Sequence, residues 1–237
     1  INSVCDDLGM NYAGGITAKM DDLQSAEFRH SFDRLFLEWE HAVRCNTPGL
    51  KTFTPLPKSS FSYQPDFSGP NHDDETLEGS TGEYPKVCIV GDMENESHNI
   101  NKMVKTAEQS FLTEGLKPEI IDLGRLKFGP CTGCMKCGFD NICAYEGKDD
   151  FVSIHRKKIL SSDIILFAGA MHDRLLSSKW QRYLDRSFNL THQLTLEGKQ
   201  VGFLISGPLS SNPNTREILQ GYTEVNRATS AGFITDE

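Results

Sequence analysis

The sequence predicts a doubly wound α/β domain with a five-stranded parallel sheet, and three observations carry that expectation. Short, fully apolar runs alternate with amphipathic segments of helical length from Tyr84 onward. Those runs lack the in–out alternation of a half-exposed sheet, as expected where helices cover both faces. A cysteine-rich loop, Cys131-Thr132-Gly133-Cys134-Met135-Lys136-Cys137 with Cys143 after five more residues, falls directly after the second run.

The elements follow in order. Met10 to Thr17 is a candidate strand weakened by two glycines. Ser25 to Arg44 is a helix, with Phe28, Phe32, Leu35, Phe36, Trp39 and Val43 on one face, a stripe expected to face a core. Residues 47–84 hold Pro48, Pro55, Pro57, Pro65 and Pro70 among Ser, Gly and Asp, and predict an extended linker. Lys86 to Gly91 is the first strand of the regular part. Asp92 to His98 forms a loop, and the helix to about Glu114 carries Ile100, Met103, Val104, Ala107 and Phe111 inward, with Gly115 as its stop. Pro118 to Leu123 is the second strand. A short helix capped by Asp149 or Asp150 holds Phe151, Ile154 and Ile159. Asp163 to Gly169 is the third strand. The next helix is capped by Ser177 or Ser178 and buries Trp180, Tyr183, Leu184 and Phe188. Val201 to Ser206, Thr215 to Arg227 and Ala231 to Asp236 complete the series as strand, helix and strand.

The order expected for such a sheet is the flavodoxin-like one, in which a mononucleotide binds outside the carboxyl ends of the strands. The N-terminal strand and helix form an extension. Ala13-Gly14-Gly15-Ile16-Thr17 echoes Ala231-Gly232-Phe233-Ile234-Thr235, so residues 1–46 read as the end of a preceding similar repeat, followed by the linker and then a domain over 85–237. The alternative is that helix 25–44 packs on the second domain in place of its last helix, and a chance match is a third reading. A first residue Ile1, and a last residue Glu237 directly after a strand, suggest a fragment or a processed chain.

Composition excludes some classes. The 237 residues carry a net charge of −9, which argues against nucleic acid and anionic membrane surfaces as partners. Mean hydropathy is −0.41, and the longest apolar runs are far too short to span a bilayer. Seven cysteines without a secretory signal point to a reducing, cytoplasmic setting, where clustered thiols do metal or redox work. Spacings of two residues let three thiolates surround one small cluster, with the fourth arriving from nearby. Cys131, Cys134, Cys137 and Cys143 are therefore candidate ligands of an iron–sulfur cluster. A reduced, unmetalled loop and a zinc site stay open as alternatives, although zinc pairs are usually spaced further apart. Candidate flavin contacts lie in the other strand-end loops: Ser97, His98 and Asn99 after the first strand, Ala170, Met171, His172 and Arg174 after the third, Ser206 and Gly207 after the fourth. Asp92, Glu94 and Glu96 have the wrong sign for a phosphate cradle, which weakens that reading and sets beside it, on equal terms, a solvated acidic loop with Ser97 merely capping the helix.

Residues 85–237 resemble the flavodoxin-like NADPH-dependent FMN reductases, and more closely the iron–sulfur flavoproteins of anaerobic microbes. Cys131, Cys134, Cys137 and Cys143 match their compact C-x2-C-x2-C-x4–7-C motif. The strand KVCIVG, the segment Ser162 to Phe167 and the helix Lys179 to Arg186 match further. The resemblance implies FMN, a [4Fe-4S] cluster, NAD(P)H as a candidate electron donor, a small redox partner or quinone-like substrate, and a homodimer or higher homo-oligomer. It departs from the family where Asp92 stands at the phosphate-loop Ser, Glu94 near its Arg, and Gly169-Ala170-Met171-His172 in place of SPVY. The expected activity is that of a flavin-dependent oxidoreductase or electron carrier. Its rivals are a cluster-free NAD(P)H-dependent FMN or quinone reductase and a non-catalytic assembly module.

Overall fold

Four apolar strand runs lie side by side and a fifth closes the edge. The computed structural model describes residues 2–19, 21–55, 84–93, 98–190 and 193–237. The chain divides into two compact units, Ile1–Pro57 and Lys58–Glu237.

The larger unit is the doubly wound sheet. Its strands are β1 (Val87–Gly91), β2 (Glu119–Asp122), β3 (Ile164–His172), β4 (Leu175–Leu176), β5 (Gln200–Ser206) and β6 (Thr229–Thr235). The order is β2-β1-β3-β5-β6, every neighbouring pair parallel, with β4 antiparallel on the end of β3. Leaving β4 aside, this is the flavodoxin-like order. The sequence expected the third strand to stop at Gly169. Instead β3 runs on, and Ala170, Met171 and His172 belong to it rather than to a loop. The extension exists because Met171 pairs with Leu176 and His172 with Leu175 across a turn at Asp173, whose φ is 55°. Asp tolerates that left-handed conformation better than most residues.

Register divides the sheet's side chains between two cores. Ile121, Val90, Phe167, Phe203 and Phe233 form one row across the sheet. Phe203 stacks on Phe233 at 4.8 Å and tilts against Phe167 at 5.8 Å. Onto this face pack α5 (Phe151–Ile154), continued as a π-helical turn His155–Ile159, together with α6 (Ser178–Ser187) and α7 (Pro213–Val225). The adjacent row, with Ala168 and Leu204, faces the other way and meets Ile100, Met103 and Val104 of α3 (Asn99–Thr113). Trp180 fixes α6 to β3: its Nε1 donates to Ala168 O at 3.0 Å. A Cβ at residue 169 would stand 2.8 Å from that nitrogen, so glycine is required there.

The smaller unit departs from expectation. Met10 to Thr17 forms no strand. Instead the chain has α1 (Asn2–Asp7), a 3₁₀ turn Asp22–Gln24 and α2 (Ala26–Arg44). The repeat suggested by the Ala13–Thr17 echo therefore lacks its strand in the first copy, while Ala231–Thr235 lies in β6. An isolated strand has no ladder to join in this unit, and Ala13 O is taken by Trp39 Nε1 at 3.0 Å. The α2 stripe is not buried either. Phe32, Phe36, Trp39 and Val43 are exposed, and no residue of α2 is buried. Residues 47–55 form no helix or strand, and the rest of the expected linker, 56–83, lies outside the described residues. No helix among the described residues is long and apolar enough to cross a membrane.

Candidate functional site

The cysteine loop takes its shape from left-handed residues. Gly133 (φ 64°), Met135 (φ 57°) and Asn141 (φ 56°) take left-handed backbone within nine residues. Gly133 needs no strain to do so. Between them Cys137–Asp140 makes a single turn, α4. Cys131, Cys134, Cys137 and Cys143 all line one cavity of about 540 Å3, completed chiefly by Tyr145, Arg186, Phe188 and Asn189. Cys131 and Cys134 are exposed, Cys137 and Cys143 half-buried. The Lys136 backbone N–H holds the Cys134 thiol below its usual range. Burial pushes the Cys137 thiol up, and the neighbouring sulfurs of Cys143, Cys131 and Cys134 add to that rise. Cys88, inside β1, is pushed up to about 12 by burial and is structural.

Beneath this cavity sits a charged residue that the pattern reading passed over. Arg186 is 1 % exposed. Its Nη1 donates to Asp149 Oδ2 at 2.7 Å and to Gly129 O at 2.9 Å, and its Nη2 donates to Asp149 Oδ1 at 3.2 Å. Nη2 also donates to Cys143 Sγ at 3.7 Å. The guanidinium lies over the Tyr145 and Phe151 rings, at 4.6 and 5.0 Å. A signal existed: Arg186 follows Trp180 and Tyr183 at three-residue steps, on the stripe that α6 buries. Asp149 was read only as a helix cap, and it does accept from Phe151 N at 3.2 Å as well. Asn189, 4 % exposed, also escaped notice. Among the described residues neither its Nδ2 nor its Oδ1 has a partner.

Cys131, Cys134, Cys137 and Cys143 share one cavity wall, and thiols are the donor kind an iron–sulfur cluster takes. No group of three His, Cys, Asp or Glu among the described residues converges tightly enough to hold one metal ion. A lone zinc needs every sulfur about 2.3 Å from one point. A cubane accepts its thiolates at separate corners, so four sulfurs around a wider cavity fit it in kind. The unpartnered Asn189 amide on the wall is a further polar group that such an occupant would satisfy.

The expected flavin contacts come together less completely. The loops after β1, β2, β3 and β5 leave from the same edge of the parallel sheet, as their connections require. Ser97 lies outside the described residues. His98 occupies the N-cap of α3, is exposed, and makes no side-chain capping bond. Asn99, Ser206 and Gly207 do converge, but on a carboxylate. Asn99 Nδ2 donates to Asp236 Oδ2 at 2.8 Å, Ser206 Oγ to the same oxygen at 2.7 Å, and Gly207 N to Oδ1 at 2.8 Å. Asp92 behaves alike: it accepts from Ser177 Oγ at 2.5 Å and pairs with Lys179 at 3.4 Å. Ala170 and Met171 are half-buried and His172 is exposed. Arg174 offers its carbonyl to Asn212 Nδ2 at 2.6 Å. Asn99, Ser206 and Gly207, donors of the kind FMN could use, are thus already engaged within the chain.

No family model matches the chain. A segment of 126 residues is 28% identical to an iron–sulfur flavoprotein of Methanocaldococcus jannaschii, covering 52% of this chain. The match spans 62% of that relative's length. Among solved structures, a putative quinone reductase from Klebsiella pneumoniae superposes with a TM-score of 0.51 at 13% identity, over 64% of this chain and 75% of that one. RosB, solved with bound 8-demethyl-8-formylriboflavin-5′-phosphate, gives a TM-score of 0.50 at 16% identity, over 64% of this chain and 65% of that one. At such identities these likenesses show the fold, and the fold is the flavodoxin-like doubly wound sheet shared with those proteins.

Proposed function

We propose that this chain is a flavin-dependent oxidoreductase or electron-transfer protein that combines FMN with an iron–sulfur cluster. The observation that carries the reading is the meeting of four cysteine sulfurs around one cavity, at the sheet edge where flavodoxin-like folds bind a mononucleotide. The distant similarity to an iron–sulfur flavoprotein supports it.

Cys131, Cys134, Cys137 and Cys143 would hold the cluster, and Asn99, Ala170, Met171, His172, Arg174, Ser206 and Gly207 border the flavin position. The chemistry these groups supply is electron transfer, two electrons at the flavin and one at the cluster. The chain's own part is binding and placement. The αL residues of the cysteine loop aim its thiols at one cavity. Arg186, locked by Asp149, fixes the floor beneath Cys143. Asp236 holds the Asn99, Ser206 and Gly207 donors and must yield before they can serve a ligand. Proton transfer needs no dedicated side chain in this reading.

The engaged donors at Asp236 favour one rival: a cluster-bearing module whose flavin binding is weak. A cluster-free NAD(P)H-dependent reductase is the other. Visible spectra of anaerobically purified protein, before and after NAD(P)H, separate them. Our reading predicts flavin bands overlying a broad iron–sulfur absorbance. Flavin bands alone, bleached by NAD(P)H, would support the cluster-free reductase. Absence of both chromophores after supplying FMN, iron and sulfide would refute the proposal.

A further inference from the structure

We propose that Arg186 is a positioning residue that sets the reduction potential of the cysteine cage, through its N–H donated to the Cys143 sulfur. The inference rests on the iron–sulfur reading above and deepens it.

Three features of the geometry carry it. First, Arg186 lines the same cavity as all four cysteines, and Nη2 donates to Cys143 Sγ at 3.7 Å. Second, the guanidinium cannot swing away. Its Nη atoms are tied to Gly129 O and to both oxygens of Asp149, and its face is enclosed by Tyr145 and Phe151. Third, the group is buried, so its field at the sulfurs is little screened by solvent. Burying an arginine is costly unless a charge partner compensates it. Asp149 supplies that compensation through both Nη atoms, while Nη2 donates to Cys143 as well.

The electrostatic consequence has a definite sign. One-electron reduction adds one negative charge to the cage; no bond forms or breaks, and no proton is required. An N–H donor to a ligating sulfur stabilises the more negative state, and so raises the potential. The Asp149 carboxylate opposes that effect across the same guanidinium. Removing the two partners one at a time must therefore move the potential in opposite directions, whereas a merely structural role would move both variants the same way or neither.

The test is a mediated redox titration of the full chain, reconstituted anaerobically with iron and sulfide, with dithionite as electron donor and the reduced fraction read by electron paramagnetic resonance. Arg186→Gln is expected to lower the reduced-to-oxidised ratio at fixed potential by about tenfold, which is 59 mV for a one-electron couple. Asp149→Asn is expected to raise the ratio. Arg186→Lys keeps the charge without the rigid fork and is expected to fall between wild type and Arg186→Gln. Near-ultraviolet circular dichroism checks folding, and if Arg186→Gln does not fold, the lysine and Asp149→Asn variants carry the comparison. Iron retained with unmoved potentials, or both variants shifting the same way, overturns the role of Arg186 alone. Wild-type protein that takes up no iron and sulfide overturns the iron–sulfur reading and this inference with it.

Discussion

Two regions on the carboxyl edge of one sheet treat their polar groups in opposite ways. Around the cysteine loop the sulfurs are presented outward: Cys131 and Cys134 are exposed, the cavity is broad, and the Asn189 amide on its wall has no partner among the described residues. Around the ends of β5 and β6 the donors are turned inward, and Asp236 collects Asn99, Ser206 and Gly207; after β1, Asp92 likewise collects Ser177 and Lys179. The first region leaves two exposed thiols and an unpartnered amide around its cavity. The second is completed by the chain itself. A flavodoxin-like fold thus guarantees where a nucleotide would sit without guaranteeing that its donors are free, because a carboxylate can serve as an internal substitute for an anionic ligand.

The largest effect expected from this contrast is at the cysteines. Cys137→Ala removes one thiolate from the middle of the motif, and the account predicts loss of most bound iron and sulfide with the fold retained, since the side chain is only half-buried. Iron analysis beside circular dichroism checks it. An unchanged iron content would break the contrast on its open side.

Acid is the next probe. His155 is buried, its ring stacked at 5.2 Å on Phe151, the ring that also meets the Arg186 guanidinium, and its Nδ1 3.2 Å from the Tyr183 hydroxyl. Burial depresses its pKa from 6.5 to about 4. The unfolded chain takes up this proton near pH 6.5 and the folded one only near 4. The stability it contributes is therefore fully present above 6.5 and is lost as the pH falls towards 4, by about 3 kcal/mol in total. Urea unfolding midpoints are expected to fall over that window in wild type and to fall less in His155→Gln, which does not titrate there. Equal falls in both proteins would mean that the fold does not depend on a neutral imidazole beside Phe151.

The closed region has its own test. Asp236→Asn keeps the shape but removes the charge that holds three donors. Hydrogen bonds to charged groups contribute about 1.5–3 kcal/mol each, so FMN affinity is expected to rise by about tenfold or more. Fluorescence quenching of FMN measures it. A weaker or unchanged affinity would show that Asp236 is not a competitor for the flavin's donors. A smaller effect is expected at Ser177, whose hydroxyl accepts from Trp180 N while donating to Asp92. Ser177→Ala should cost about 1 kcal/mol as a lost helix cap, visible as a lower thermal midpoint, and should leave iron content untouched.

How legible all this was in the sequence follows the same division. The sheet was readable because apolar runs such as KVCIVG and the segment Ile164 to Ala168 admit few alternatives in a chain of alternating strands and helices. Ser177 as a cap and Gly115 as a stop followed from local chemistry alone. The shared cavity of the four cysteines was foreshadowed because their spacing is local. What escaped was non-local. Nothing near Asp236 in the sequence announces that it closes on Asn99, 137 residues earlier. Arg186 and Asp149 meet across 37 residues, and Asp149 had an ordinary local explanation as a cap. The antiparallel β4 that lengthened β3 is two residues long, too short for any periodic signal. The strand expected at Met10 to Thr17 failed for the converse reason: its pattern was plausible locally, but among the described residues of its unit there is no partner strand.

The central claim is that the cysteine cavity holds an iron–sulfur cluster. The most direct measurement is iron and acid-labile sulfide per chain, on protein reconstituted anaerobically and freed of excess reagents. The account predicts about four of each, as a [4Fe-4S] cluster requires. Neither element retained, or one zinc taken up in preference to iron and sulfide, would contradict it.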